Sequence, residues 1–328
     1  MESIRSLTEV KGLIRGDPYF ELDASLFQLM QDRLPDWADH VEAAWRLQFD
    51  KSPNHVWTPQ GLEVRPALMG ILNVTPDSFS DGGRFLTPGD ALQGAMSMLE
   101  QGADMIDVGG ESSRPFSEPV SMEEEVRRVI PVITGLRSIT NLPISIDTMK
   151  KGVARKALEA GASMINDISG LRDPEMASLA AEFDVPVVIM HMRGTPKDMQ
   201  SQVRYDDVVR EVVDELNLSA VAAMQQGVKR DRIILDPGIG FGKTARDNLE
   251  IINRLREFRC LGYPILLGAS RKSFIGKTLG TNEHSRLEGS LAVASMAMCN
   301  GADIIRVHDV LETLRTLRMM VAMQNLTI

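Results

Sequence analysis

Eight short β-branched runs alternating with amphipathic stretches, polar residues recurring at the ends of those runs, and about 260 residues for the eight units together predict a closed (β/α)8 barrel, the TIM barrel. The strands are expected at Ala67–Thr75, Asp104–Gly110, Pro143–Thr148, Met164–Ser169, Pro186–Met192, Arg232–Gly238, Pro264–Ser270 and Asp303–His308. Between them, Val209, Val212, Val213 and Leu216 share one helical face, and Val310, Leu314, Leu317 and Val321 share another. A doubly wound open sheet is the alternative. It would normally carry a GxGxxG or GxxxxGK[ST] loop after its first strand, and neither stands there.

The residues before the first strand do not follow this rhythm. Leu26, Leu29, Met30 and Leu34 lie at helical spacing up to Pro35, Trp37, Val41, Ala44 and Trp45 suggest a second helix, and Pro53, Pro59 and Gly61 mark a connector. Residues 1–64 are therefore expected to form a small helical extension, packed on the barrel or on a partner subunit, and residues 65–328 the barrel.

The first strand leads into Asn73-Val-Thr-Pro-Asp-Ser-Phe-Ser-Asp-Gly-Gly83, an apolar run ending in turn formers. At a strand's C-terminal end, Asn73 is either a neutral oxygen donor for a metal or phosphate or an Asx-turn cap. After the second strand, Asp107-Val-Gly-Gly-Glu-Ser-Ser-Arg-Pro115 joins an acid, two glycines that permit close backbone approach, and a cation. Asp147, ending the third strand, either stabilises positive charge on a substrate or caps the next helix.

Asp236 ends the sixth strand, and its two oxygens can accept parallel N–H bonds from a guanidine-like heterocycle edge. Asn166 could complement it with an amide, and Lys272 could reach a ring oxygen or nitrogen. The run Gly238-Ile-Gly-Phe-Gly-Lys243 fits neither the Walker nor the Rossmann spacing. On the eighth strand Arg306 and His308 project to one face, either as an anion site or as ion-pair partners of acids such as Asp309. Nine polar strand ends, Asn73, Asp107, Asp147, Asn166, His191, Asp236, Ser270, Arg306 and His308, are thus expected to converge on one mouth.

A formal net charge of −9 over 328 residues argues against a general nucleic-acid or anionic-membrane binder, so any anionic ligand must be small and enclosed. Cys260 and Cys299 form no CxxC, and the five histidines include no HExxH pair. With no apolar signal core at the N-terminus and no run near the ~20 apolar residues of a membrane span, a reduced cytoplasm is the expected setting.

Taken together, Ile71 to Gly83, Ile106-Asp-Val-Gly-Gly-Glu-Ser112, Leu235-Asp-Pro-Gly238, Ser270-Arg-Lys-Ser273 and Ile305-Arg-Val-His-Asp309 resemble the dihydropteroate synthase family of pterin-binding barrels. The resemblance implies condensation of a dihydropterin diphosphate with p-aminobenzoate by a dissociative route, inhibition by sulfonamides, and a homodimer. It implies Asn73 as a ligand of Mg²⁺, Arg306 and His308 on the diphosphate, and a pterin pocket of Asp147, Asn166, Asp236 and Lys272. Asp107, Asp147, Lys272, Arg306 and His308 are the candidate catalytic residues. Phe79, Pro115, Phe241, Lys272 and Ser273 would line the p-aminobenzoate pocket, with Ser113 and Arg114 in a closing loop. Serine at 113, where many members have threonine, keeps the hydroxyl. Corrinoid-linked methyltransferases share the pterin-binding barrel but expel no diphosphate, and a barrel that only binds pterin is a further alternative; retention of Arg306, His308 and Lys272 favours the synthase.

Overall fold

Eight parallel strands form at the eight expected places: β1 (Ala67–Asn73), β2 (Met105–Gly109), β3 (Ile144–Asp147), β4 (Met164–Asp167), β5 (Val187–Met190), β6 (Ile233–Asp236), β7 (Leu266–Leu267) and β8 (Ile304–Val307). The computed structural model describes residues 66–75, 87–112, 119–195, 198–199, 203–282 and 285–324. The expected extension over 1–64 lies outside these residues, as do Phe79, Ser113, Arg114 and Pro115.

In β1, Met69 stands opposite Met105 and Asn73 opposite Gly109, while Ala67 stands opposite Ile304 of β8. Hydrogen bonding runs in the order β6-β5-β4-β3-β2-β1-β8-β7. The ring closes where Leu235 bridges Ile265 in parallel, its amide donating to the Pro264 carbonyl oxygen at 2.9 Å. A doubly wound sheet would have left two open edges.

Helices α1 (Pro88–Glu100), α2 (Met122–Ile139), α3 (Lys151–Glu159), α4 (Pro174–Phe183), α5 (Val208–Gln225), α6 (Ala245–Asn253), α7 (Ser273–Leu279), α8 (Leu287–Cys299) and α9 (Val310–Gln324) separate and follow the strands, two of them lying between β7 and β8. Thr87, Ser121, Asp173, Asp207 and Thr244 cap α1, α2, α4, α5 and α6, each side chain accepting from an amide of the first turn. On the expected faces Val209, Val212, Leu216, Val310, Leu314 and Leu317 are buried.

The barrel interior holds Ala67, Met69, Met105, Met164, Val188, Ile234, Leu266 and Ile304 as one apolar cluster. Side chains two apart on a strand share a face, so the next inward positions toward the C-terminal end are Asp107, Asn166, Met190, Asp236, Gly268 and Arg306, with Asp147 above Ser145 on β3. An apolar floor therefore passes directly into a charged mouth. The same parity sends His191 outward, and that corrects the expectation that all nine polar strand ends converge. Its imidazole meets Glu215 of α5 instead, 2.9 Å from Nε2 to Oε2.

Two glycines after strands and helices show why the turns are as they are. Gly238 has φ 69, and a Cβ there would lie 1.9 Å from the His191 carbonyl oxygen; Gly280 has φ 67 with no described residue within 4 Å of such a Cβ. Gly280→Ala is expected to lose about 1 kcal/mol from backbone strain alone, and Gly238→Ala about 3 kcal/mol or more, by urea unfolding. Equal losses would contradict the steric account of the β6 turn.

Candidate active site

Four side chains from four strands meet above the floor. Asp107 is fully buried, and its Oδ2 accepts from Asn166 Nδ2 at 3.0 Å and from Arg306 Nε at 2.6 Å. Arg306 Nη2 donates to Asp147 Oδ2 at 2.7 Å, which leaves Nη1 without a protein partner among the described residues. The guanidinium fork thus ties β2 and β3 to β8. Asp107 Oδ1 is buried and has no hydrogen-bond partner among the described residues. A buried carboxylate oxygen left unpaired is unfavourable unless a ligand N–H completes it.

Asp147 does not cap α3, whose N-cap is Lys150 with no side-chain cap bond. Of the two readings left open by the sequence, the structure removes the cap. Burial pushes the Asp147 carboxyl up to about 7, Arg306 works against that shift, and Asp107 adds to it by repulsion. Asp236 is buried and also raised by burial, against the pull of Lys272 and a hydrogen bond from the Gly238 amide to Oδ1 at 2.7 Å. One of its two oxygens is therefore already engaged by the protein.

Lys272, half-buried at the N-cap of α7, donates to the Ile239 carbonyl and lies 4.3 Å above the Phe241 ring, a cation–π contact. Desolvation lowers its ammonium to about 8, with Asp236 opposing. Phe241 is buried, and Ser273 is exposed at the first position of α7. Phe241 joins Ile168, Met190, Met192 and Met199 in an apolar wall beside these polar groups.

At the β8 end, His308 Nδ1 and Ser270 Oγ are 3.1 Å apart, and the His308 amide donates to the same oxygen at 3.3 Å. Asp309 takes Arg271 through Nε at 3.0 Å. Arg306 does form ion pairs, but with Asp107 and Asp147 rather than with Asp309. Asn73 is half-buried; a Cβ on Gly109 would lie 3.8 Å from its Oδ1 and 3.6 Å from Asp147 Cβ, so Gly109 keeps the space between them open. Gly110 serves packing, since a Cβ there would lie 2.7 Å from Val129. Asn73, Asp107, Asp147, Asn166, Asp236, Phe241, Lys272, Ser273, Arg306 and His308 all belong to the strand ends and turns on one side of the barrel.

Sequence reasoning missed two things. The orphaned acceptor is on Asp107, whereas the heterocycle argument rests on Asp236; both acids are expected at the mouth, but the sequence does not show which of them keeps an oxygen unpaired. Lys243, read only as part of a discounted nucleotide-like loop, is buried and donates to His191 Nδ1 at 2.8 Å.

A (β/α)8 barrel with buried acids, an amide and an apolar wall at its mouth is a binder of flat, N–H-rich heterocycles. Residues 69–308 match the family model described as pterin binding enzyme. The dihydropteroate synthase of Bacillus subtilis (strain 168) is 49% identical over 259 residues, which are 79% of this chain and 88% of that protein. The Yersinia pestis dihydropteroate synthase solved with a sulfonamide drug complex superposes with TM-score 0.78 at 42% identity, covering 81% of this chain and 98% of that one. The Xanthomonas albilineans enzyme in complex with 7,8-dihydropteroate gives TM-score 0.72 at 44% identity, covering 80% and 95%. The chain belongs to the pterin binding enzyme family and, within it, to the dihydropteroate synthases.

Proposed function

We propose that this transferase of folate biosynthesis joins the amine of p-aminobenzoate to the methylene carbon of 6-hydroxymethyl-7,8-dihydropterin diphosphate. The carbon–oxygen bond to diphosphate breaks, the carbon–nitrogen bond forms, the amine proton passes to solvent, and 7,8-dihydropteroate and diphosphate leave. The observation that carries this reading is the buried, unpartnered Asp107 Oδ1 beside Asn166, an acceptor waiting for a ring N–H.

Asp107, Asn166 and Asp236 would then fix the pterin edge, with Met190 and Met192 against its face. Asp147 would face the carbon as it becomes cationic, with stabilisation aimed at developing charge. Arg306 and His308 would hold the departing diphosphate oxygens, Arg306 remaining tied to both acids so that the anion and the cation are separated across one guanidinium. Phe241, Lys272 and Ser273 would border p-aminobenzoate, together with Phe79, Ser113, Arg114 and Pro115, which lie outside the described residues. No side chain need act as a nucleophile.

Mg²⁺ would be held by Asn73. No group of three or more His, Cys, Asp or Glu that could hold a metal occurs among the described residues. A single neutral amide oxygen suits a hard cation that takes its other ligands from phosphate and water. The ion would supply neutralisation of the leaving diphosphate's charge. Chelation is expected to stop turnover while leaving 6-hydroxymethylpterin affinity unchanged by calorimetry; equal loss of both would contradict a diphosphate-linked metal. A homodimer is the inference from the family, checked by solution mass. Cys260 and Cys299, neither in a disulfide, suit a cytoplasmic setting, and no helix among the described residues is long and apolar enough to cross a membrane.

Two experiments test the reading. A sulfonamide should raise KM for p-aminobenzoate without lowering kcat; an uncompetitive pattern would contradict an amine pocket at the free mouth. Because Asp147 must be a carboxylate and burial sets its ionisation near about 7, kcat/KM should rise with pH through about 7. Asp147→Asn should abolish that rise, and a variant retaining it would remove Asp147 from the role.

A further inference from the structure

The mechanism above leaves one buried lysine among the described residues unused. Lys243, in the turn after β6, is 3% exposed, and its hydrogen bonds go to neutral acceptors: His191 Nδ1 at 2.8 Å, the Phe241 carbonyl at 3.1 Å and the His191 carbonyl at 3.5 Å. An ammonium buried on neutral acceptors is unfavourable, and methionine would fill the space without that penalty. The charge therefore needs a reason.

That reason lies in what faces it. Asp236 and Glu215 favour the Lys243 ammonium, Lys272 and Arg193 oppose it, and burial holds it down to about 7. His191 is neutral, held at about 4 by burial and by Lys243. Its Nε2–H donates to Glu215 at 2.9 Å, so Nδ1 is the acceptor that Lys243 uses. Glu215 is in turn fixed by Arg193 Nε at 2.9 Å. The His191 amide donates to the Asp236 carbonyl at 2.9 Å, and Lys243 is among the cations that favour the Asp236 carboxylate. A single chain, Glu215 to His191 to Lys243, thus runs from α5 to the turn that follows Asp236.

We propose that Lys243 is a positioning residue for pterin binding: held by His191, it clamps the 238–243 turn against the end of β5 and so fixes where the Asp236 side chain meets the ring's N–H donors. The proposal rests on the reading of Asp236 as a pterin acceptor.

The test is calorimetry of the full chain with 6-hydroxymethylpterin from about pH 5 to about pH 8. Lys243→Met is expected to bind about tenfold more weakly at neutral pH. Its loss of affinity on acidification should begin at higher pH, because a carboxyl deprived of a cationic neighbour protonates sooner. KM for the pterin diphosphate should rise while KM for p-aminobenzoate stays unchanged. Asn can accept from Lys243 where Phe cannot, so His191→Asn should keep near-native affinity and His191→Phe should lose it. A Lys243→Met protein with unchanged affinity and an unmoved acid limb overturns the proposal, as does native binding by His191→Phe. If Lys243→Met does not fold, the His191 pair decides. Asp236→Asn separates the two levels: unchanged binding there removes the underlying reading, whereas weakened binding beside an unchanged Lys243→Met removes this inference alone.

Discussion

Replacing Arg306 by methionine is expected to lower kcat/KM about a thousandfold, the scale of losing a preorganised charge in an enclosed site. Arg306 is the only group described that touches both Asp107 and Asp147, at 2.6 and 2.7 Å. Without it, two buried acids face each other with no cation between them, and Asp147 takes up a proton at pH values where the native protein keeps it ionised. The variant would fold, but with its mouth neutral where charge must be stabilised. Arg306→Lys should recover little, because a point charge cannot bridge two carboxylates as the guanidinium fork does.

The pH dependence of stability follows with a definite sign. Burial already raises Asp147 from 3.8 to about 7, so the native state binds more protons than the unfolded chain across that window, and this group's contribution falls as pH rises through it. Removing Arg306 raises the carboxyl further and extends the fall to higher pH. The stability deficit of Arg306→Met, by urea unfolding, should therefore be larger at about pH 8 than at about pH 6. A deficit independent of pH would mean that the two acids do not depend on Arg306.

Asp236→Asn is expected to weaken 6-hydroxymethylpterin binding about a hundredfold. One carboxylate oxygen already accepts from the Gly238 amide at 2.7 Å, and the other is left for the ligand. An amide has only one acceptor oxygen. Whichever way the asparagine is turned, its NH₂ meets either the Gly238 N–H or a ring N–H, so one donor faces another. Calorimetry decides, and unchanged affinity would remove Asp236 from the pocket.

Much of this barrel was legible because its strands are buried on both faces and read as apolar runs, and all eight lie where those runs predicted. Their ends came out shorter: β7 is reduced to Leu266–Leu267, although Pro264–Ser270 carries the apolar pattern, since the chain there turns early toward α7. Asp107, Asp147, Asn166, Asp236 and Arg306 were legible as mouth residues from position alone. Their partners were not, because sequence gives the face of a side chain and not its distance to one on another strand. Thus the ion-pair alternative for Arg306 names Asp309, which Arg271 takes, while Arg306 pairs with Asp107 and Asp147. His191 was misplaced for a simpler reason: one residue past Met190, it falls on the helix-facing side. Lys243 was hidden because a lysine in a glycine-rich turn looks solvated, and only the packed turn shows it buried.

The most direct measurement is the balance of the reaction itself. Purified protein with Mg²⁺, 6-hydroxymethyl-7,8-dihydropterin diphosphate and p-aminobenzoate should form one 7,8-dihydropteroate and one diphosphate for each p-aminobenzoate consumed, followed by mass spectrometry and a diphosphate assay. Folded protein that binds the pterin but releases no diphosphate when p-aminobenzoate is present would contradict the account.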